Sequence, residues 1–432
     1  MNTFERLESE VRGYCRSWPA VFRSANGSTL TDEDGRDFLD FFAGAGALNY
    51  GHNHPAIKER MLAYLAEDGV LHSLDMHTTA KRALLEQFEA LVLAPRGLEY
   101  KVQFPGPTGT NAVEAALKLA RKVTGRERVV SFTNAFHGMT LGALAVTGNS
   151  SKRQGGGVPL GNVVRMPFDG YLGDEVDTIA YLDAVITDGG SGIDLPAAVI
   201  VETVQAEGGL HVASNEWLQK LAAVCEHHDI LLIIDDIQVG CGRTGPFFSF
   251  ESAGITPDIV CLSKSLSGSG LPLALTLMKP EHDVWDPGEH NGTFRGNNLA
   301  FVTATAALDL FWRDDELSQS VVRKAERLRT GLQETFSAHD GLFAEVRGRG
   351  LIQGLQTSAP EVAGAICAAA YERGLLLETA GFEDDVVKLL PPLVVSDAEI
   401  DRAIEILGAS AQITLDQLSD ELLDRRGAEA TR

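Results

Sequence analysis

The stretch ILLIIDDIQVGCGRTG, Ile230 to Gly245, opens on an unbroken apolar run, ends that run with two aspartates and passes into a glycine-rich turn. An apolar run without alternation is a strand covered on both faces, as strands of parallel sheets are. Runs of the same kind lie on either side of it, at Val129 to Phe132, Ala197 to Thr203, Asp258 to Ser263 and Leu273 to Met278. Between two of them Ser214 is placed to cap a helix whose apolar face holds Trp217, Leu218, Leu221, Val224 and Cys225, spaced to pack on a sheet. Strand, glycine-rich turn and helix in repetition predict an α/β chain with a mainly parallel sheet and crossover helices.

Ligands of such sheets bind at the carboxyl ends of the strands, so the residues just past each run carry the chemistry. Asp235 ends its strand there, where a carboxylate can hold a heteroaromatic ring nitrogen protonated and make the ring an electron sink. Asp236 takes the lesser role of capping the turn, and Gln238 could reach a ring hydroxyl. In DIVCLSKSLSGSGLP, Asp258 to Pro272, Lys264 follows an apolar strand in surroundings that lower an amine's pKa and favour the neutral nucleophile. In FPGPTGTNAVEAALKLARKVTG, Phe104 to Gly125, helical spacing puts Gly109, Thr110 and Asn111 at a helix N-terminus, whose free N–H groups suit a phosphate. An ordinary strand-to-helix turn reads the same way when that segment is taken alone.

Composition narrows the function classes. With 432 residues, 44% hydrophobic and 22% charged, the chain suits one or two domains of an α/β enzyme, and no apolar stretch approaches the roughly 20 residues of a membrane helix. A net charge of −23 argues against nucleic acid and anionic membranes as partners. The N-terminal MNTFERLESEVRGYC has no hydrophobic secretory core, so a cytoplasmic protein is expected. Five scattered cysteines, with no CxxC pair, suggest reduced thiols and no metal site. The chain changes character near residue 315, which divides it into 1–45 as the N-terminal part of a small domain, 46–314 as a large ligand-binding domain and 315–432 as the rest of the small α/β domain.

Seven blocks occur in order: GAGALNYGHNHP (44–55), FPGPTGTNAVEAALKLARK (104–122), FHGMTLGALAVTGN (136–149), VIVETVQAEGG (199–209), DDIQVGCGRTG (235–245), LSKSLSGSGLP (262–272) and HNGTFRGNNLAFVTA (290–304). Together they resemble the class III (subgroup II) aminotransferases of the pyridoxal-5'-phosphate (PLP) dependent transferase type I fold. More narrowly they resemble the diaminobutyrate–2-oxoglutarate transaminases of ectoine synthesis. The resemblance covers nearly the whole chain. It implies that Lys264 carries the cofactor pyridoxal 5'-phosphate as a Schiff base, that Asp235 pairs with the ring nitrogen, and that Gly109 and Thr110 bind the phosphate, joined by Thr293 of a neighbouring subunit. A homodimer at least, with larger homo-oligomers open, then follows.

The same resemblance sets Phe136 on one face of the ring and Ile237 on the other, with core packing the plain alternative for Phe136. His137 is either a cofactor contact or a hydrogen-bond partner of a neighbouring loop. Glu207 matches a gating acid that many relatives pair with an arginine, whereas this chain has Lys388 in that place, and Met139 stands where several relatives carry a carboxylate-binding arginine. Arg295 is the candidate replacement, a structural salt bridge being the alternative, and Arg243 is expected at a subunit interface. The implied reaction takes the amino group of L-glutamate to L-aspartate 4-semialdehyde. Service to siderophore or peptide antibiotic synthesis, an ornithine-like or 4-aminobutyrate-like ω-aminotransferase, an aminomutase and a non-catalytic scaffold of the same fold are the competing readings.

Overall fold

In the computed structural model, which describes residues 3–339 and 341–430, the apolar runs lie side by side in one seven-stranded sheet. Its order is Lys101–Gln103, Leu275–Met278, Ile259–Leu262, Leu231–Asp235, Ala198–Val201, Val129–Phe132 and Val163–Met166. Leu231–Asp235 is parallel to both its neighbours, and Val129–Phe132 is parallel to both of its own. Leu275–Met278 alone is reversed, antiparallel to Ile259–Leu262 and to the edge strand Lys101–Gln103. The sheet is therefore mixed but mainly parallel. Its four-residue strands are fully buried along their length at Val129–Phe132, Ala198–Val201, Ile259–Leu262 and Leu275–Met278, which is why they read as continuous apolar runs.

Register positions the site. Ile234 lies opposite Val201 on one side and Val260 on the other, and Asp235 lies opposite Cys261. The chain thus leaves three neighbouring strands at nearly one level, and Glu202, Asp235 and Lys264 emerge together at the carboxyl edge.

Helices cover both faces. Gly109–Thr124 presents a buried stripe of Ala112, Val113, Ala115, Ala116, Leu117, Leu119 and Ala120, whose small side chains let the helix sit close to the strands. It ends at Gly125, whose φ of 68° is the left-handed conformation that closes helices. Asn215–His227 begins where the serine cap requires, the Ser214 hydroxyl accepting from Trp217 N at 3.2 Å. It buries Trp217, Leu218, Leu221 and Cys225, while Val224 reaches only the half-buried shoulder of that face. The Trp217 ring lies 5.0 Å from Phe132 and 5.2 Å from Phe168, tying helix to sheet.

Two smaller sheets flank this layer. Phe22–Asn26, Thr29–Asp32 and Asp37–Asp40 form a meander to which Leu375–Leu376 adds in parallel, so the first strands of the chain share a sheet with its last third. Phe343–Arg349, Ile352–Thr357, Val386–Leu389 and Glu378–Ala380 form an antiparallel sheet in which Glu378 lies directly opposite Lys388. Among the described residues no helix is long and apolar enough to cross a membrane. Cys225, Cys241 and Cys261 are buried, Cys367 is half-buried and Cys15 exposed, all with free thiols.

Candidate active site

A cavity of about 170 Å³ opens at the carboxyl edge of the large sheet. Gly109, Thr110, Phe136, His137, Asp235, Ile237, Gln238, Glu207 and Lys264 all line it, so most of the residues singled out in the sequence meet around one space. Lys264 opens a short 3-10 turn, Lys264–Ser267, with φ at 51°, a left-handed conformation that a lysine adopts only when its surroundings impose it. The imposing contacts are hydroxyl bonds on either side: Ser263 Oγ donates to Leu273 O at 2.8 Å and Ser265 Oγ to Gly46 O at 2.6 Å. Burial pushes the Lys264 amine down to about 8, against the pull of the Glu207 carboxylate.

Asp235 is buried and held from two sides. Its Oδ2 lies 2.7 Å from His137 Nδ1, and its Oδ1 accepts from Ile237 N at 3.2 Å. His137 is itself fixed by its backbone N–H, which donates to Thr147 Oγ1 at 3.0 Å, while its buried Nε2 has no partner among the described residues. Asp236 faces away, its Oδ2 accepting from Ser249 N at 3.0 Å, which keeps the two aspartates apart in role as in direction. Burial raises the Asp236 carboxyl to about 7.

At the helix N-terminus Thr108 N donates to Asn111 Oδ1 at 3.2 Å, and Thr110 Oγ1 lies 2.7 Å from Thr140 Oγ1. The chain is tight here. A Cβ on Gly109 would meet two Ile237 side-chain atoms at 3.0 Å, and one on Gly138, whose φ is 126°, would meet Thr110 Oγ1 at 2.6 Å.

Glu207 is bound by Lys388 Nζ at 2.9 Å and by Gln238 Nε2 at 3.0 Å. Burial alone would raise its carboxyl, but the ammonium groups of Lys388 and Lys264 hold it at about 2. Lys388 has no exposed surface, and its Nζ lies a further 2.8 Å from Glu378. Burial lifts the Glu378 carboxyl to about 7, partly offset by Lys388. The lysine that departs from the resemblance is thus the centre of a buried carboxylate, ammonium, carboxylate cluster.

Glu202 escaped the sequence reading. It lines the same cavity, Phe136 N donates to its Oε1 at 2.9 Å, and burial together with the charge of Asp235 holds its carboxyl well above the usual range. Its signal was present in the sequence, since Glu202 ends an apolar strand just as Asp235 does.

Thr293 and Arg295 lie apart from these groups within the chain. Thr293 is exposed, and its carbonyl lies 2.7 Å from His72 Nε2. Arg295 lines a different cavity, with Asp75, Trp285 and His290, makes no ion pair among the described residues and leaves its Nε buried without a partner. Arg243, expected at an interface, is instead fully buried within the chain, where its guanidinium donates to Leu351 O, Pro391 O and Asn49 Oδ1 and ties three segments together.

Comparison with known proteins adds the following. The family model described as aminotransferase class-III matches residues 14–410. A protein of Nocardia farcinica called diaminobutyrate–2-oxoglutarate transaminase is 62% identical over 406 residues, covering 94% of this chain and 93% of its own. One of the same name from Virgibacillus pantothenticus is 58% identical over 415 residues, covering 96% and 100%. Among solved structures, the ornithine aminotransferase of Toxoplasma gondii superposes with a TM-score of 0.82 at 24% identity over 96% of this chain and 94% of that one. A transaminase from a marine Virgibacillus does so with 0.84 at 19% identity over 96% and 98%, and these two likenesses speak for the fold alone.

Proposed function

The chain belongs to the class-III aminotransferases, which use pyridoxal 5'-phosphate, and from that membership we propose that it transfers the amino group of L-glutamate to the terminal aldehyde of L-aspartate 4-semialdehyde. The products are L-2,4-diaminobutyrate and 2-oxoglutarate, matching the name its close relatives carry, and the step opens ectoine biosynthesis. One observation carries the reading: Lys264, with its amine lowered to about 8, shares a cavity of about 170 Å³ with Asp235 and Glu207 at the carboxyl edge of the sheet.

The residues fit the cofactor. A phosphate suits the N–H groups of Gly109 and Thr110 at their helix start, where a side chain on Gly109 would press on Ile237. The unpartnered His137 Nε2 and Gln238 Oε1 are buried polar atoms at the same cavity, the kind of loose end that a polar ligand satisfies. Phe136 and Ile237 line it and suit the two faces of a flat ring. When bound, the cofactor supplies an aldehyde that condenses with amines and a protonated ring that stores electrons.

The Asp235 carboxylate would hold the proton on the cofactor's ring nitrogen, and His137 Nδ1, at 2.7 Å, fixes the orientation of that carboxylate. Lys264 Nζ would hold the cofactor; once released by the incoming amine, the neutral Nζ would take the proton from Cα of L-glutamate, and in the second half-reaction the protonated Nζ would give one to Cγ of the acceptor. Thr293, and Arg295 toward a substrate carboxylate, enter from a second copy, which makes a homodimer the smallest active form. Their separation from the cavity within one chain supports that reading. We further assign residues 1–45 and 315–432 to the small domain, 46–314 to the large one, and the protein to the cytoplasm, for which the free thiols speak. Among the residues of the domain assignment, 1, 2, 340, 431 and 432 lie outside those described.

The test is a visible spectrum of the purified protein while L-glutamate and then L-aspartate 4-semialdehyde are added, beside Lys264→Ala. The reading expects glutamate to bleach the band of bound cofactor, the semialdehyde to restore it, and the variant to lack it. A band that glutamate bleaches and the semialdehyde leaves bleached would show a different acceptor.

A further inference from the structure

The Lys264 cavity is short of positive charge. Its lining carries three acids, Glu207, Asp235 and Glu202, the last with its carboxyl held well above the usual range, and Lys264 is the lysine among them. Lys388, behind Glu207, is committed to Glu207 at 2.9 Å and Glu378 at 2.8 Å. The substrates of the proposed reaction bring more negative charge, and their shapes share a feature. L-Glutamate carries a carboxylate three bonds from its reacting carbon, Cα. L-Aspartate 4-semialdehyde also carries a carboxylate three bonds from its reacting carbon, the aldehyde Cγ. A single cation at a fixed distance from the reaction centre therefore serves both half-reactions.

Phe136 and Glu207 also form walls of a second, larger cavity of about 380 Å³. That cavity carries two cations, Lys152 and Arg165. Arg165 is anchored, its Nη2 donating to Ala145 O at 2.6 Å. Lys152 is not: its Nζ stands 5.6 Å from the centre of the Phe136 ring, and among the described residues no carboxylate or carbonyl accepts from it. Of the acids lining this cavity, Glu207 is paired with Lys388, and Asp384 Oδ1 accepts from the Thr379 hydroxyl at 3.2 Å. Asn149, whose side chain accepts from Lys152 N at 3.1 Å, fixes the backbone of the turn that presents the lysine. Lys152 is exposed, and its ammonium stands beside the aromatic wall that the two cavities share, with no carboxylate partner among the described residues.

We propose that Lys152 binds the carboxylate that the two substrates have in common, three bonds from the reacting carbon, and so sets the chain length the enzyme accepts. This rests on the reaction proposed above. An ammonium meeting a carboxylate beside an apolar ring gains more than it would in open water, because the ring removes solvent from one side and favours the cation on its face.

The test uses the holoenzyme, Lys152→Gln, Lys152→Arg and Arg295→Gln. Calorimetric titration with glutarate, which has the two carboxylates of L-glutamate and no amine, reads binding without turnover. The ratio of kcat/KM for L-glutamate to that for L-norvaline, which has a methyl in place of the distal carboxylate, reads discrimination. Lys152→Gln is expected to weaken glutarate binding and lower the ratio, each about tenfold, as loss of a charge-assisted hydrogen bond does, with Lys152→Arg restoring most of both. Unchanged values in Lys152→Gln overturn the proposal, as does finding the whole loss in Arg295→Gln. A wild-type enzyme that does not aminate the semialdehyde sinks the assigned reaction instead, and the glutarate titration still decides for or against Lys152.

Discussion

Lys388 Nζ lies 2.9 Å from Oε1 of Glu207, and that lysine has no exposed surface. A buried ammonium between two carboxylates is tolerated because each charge offsets the other's loss of water, so removing the centre is far worse than never having built it. Lys388→Met is expected to cost about 3–5 kcal/mol in urea unfolding at pH 7, the scale for breaking a buried ion pair. Adding Glu378→Gln to that variant should return part of the loss, since one stranded charge is then gone. A single variant as stable as wild type would show that the cluster contributes nothing net.

The lowered Lys264 amine predicts how cofactor uptake depends on pH. A lysine held at about 8 instead of its usual 10.5 is protonated and unreactive below that value, and neutral above it. Uptake of pyridoxal 5'-phosphate by cofactor-stripped protein, followed by visible absorbance, should therefore accelerate as pH rises through about 8 and level off above it. A rate still climbing toward pH 10 would mean that burial does not act on this amine.

His137 holds Asp235 through Nδ1 at 2.7 Å. His137→Leu removes the donor and leaves a buried carboxylate oxygen short of a partner, so kcat should fall about tenfold or more. His137→Asn places an amide N–H near the old Nδ1 position and should keep an intermediate rate. Equal rates in the two variants would assign the histidine to packing.

Asp236 supplies a stability signature. Its carboxyl is raised from 3.8 to about 7, so the folded protein binds a proton there more tightly than the unfolded chain. Whatever stability this lends is complete below about pH 4 and is lost as pH rises through 7. Asp236→Asn, which cannot ionise, should gain on wild type in thermal melts as pH goes from 5 to 8. A difference that stays constant with pH would exclude ionisation at this position.

The strands of the large sheet were readable because they are buried on both faces and so appear as unbroken apolar runs, and Lys264 and Asp235 were readable because polar residues at the ends of such runs stand out. Glu202 had the same signature, directly after an apolar run, but stands five residues before Glu207 in a segment whose glycine-rich turn makes Glu207 the more conspicuous acid. The Lys388 cluster was out of reach for a different reason. Glu378 meets Lys388 only through the antiparallel register of two short strands, and Glu207 reaches them from the turn between Val204–Gln205 and His211–Val212, pairings that leave no local pattern in the chain. Arg243 misled by its type, since a guanidinium suggests a surface until three backbone and side-chain acceptors are seen to enclose it.

The two cavities are built from different material. The one at Lys264 rests on the ends of the large sheet, whereas the larger one borrows Thr379 and Ala380 from the strand Glu378–Ala380 and Gly381, Phe382 and Asp384 from the turn that follows it. Phe382 is half exposed there and takes no part in the core. On the roles proposed for Lys264 and Lys152, mutations accumulating in that turn reshape what the enzyme admits while leaving Lys264 untouched, so selectivity and chemistry can be inherited separately. Directed evolution toward longer or shorter amino acceptors should therefore draw its libraries from residues 381–384 and leave the strand ends alone.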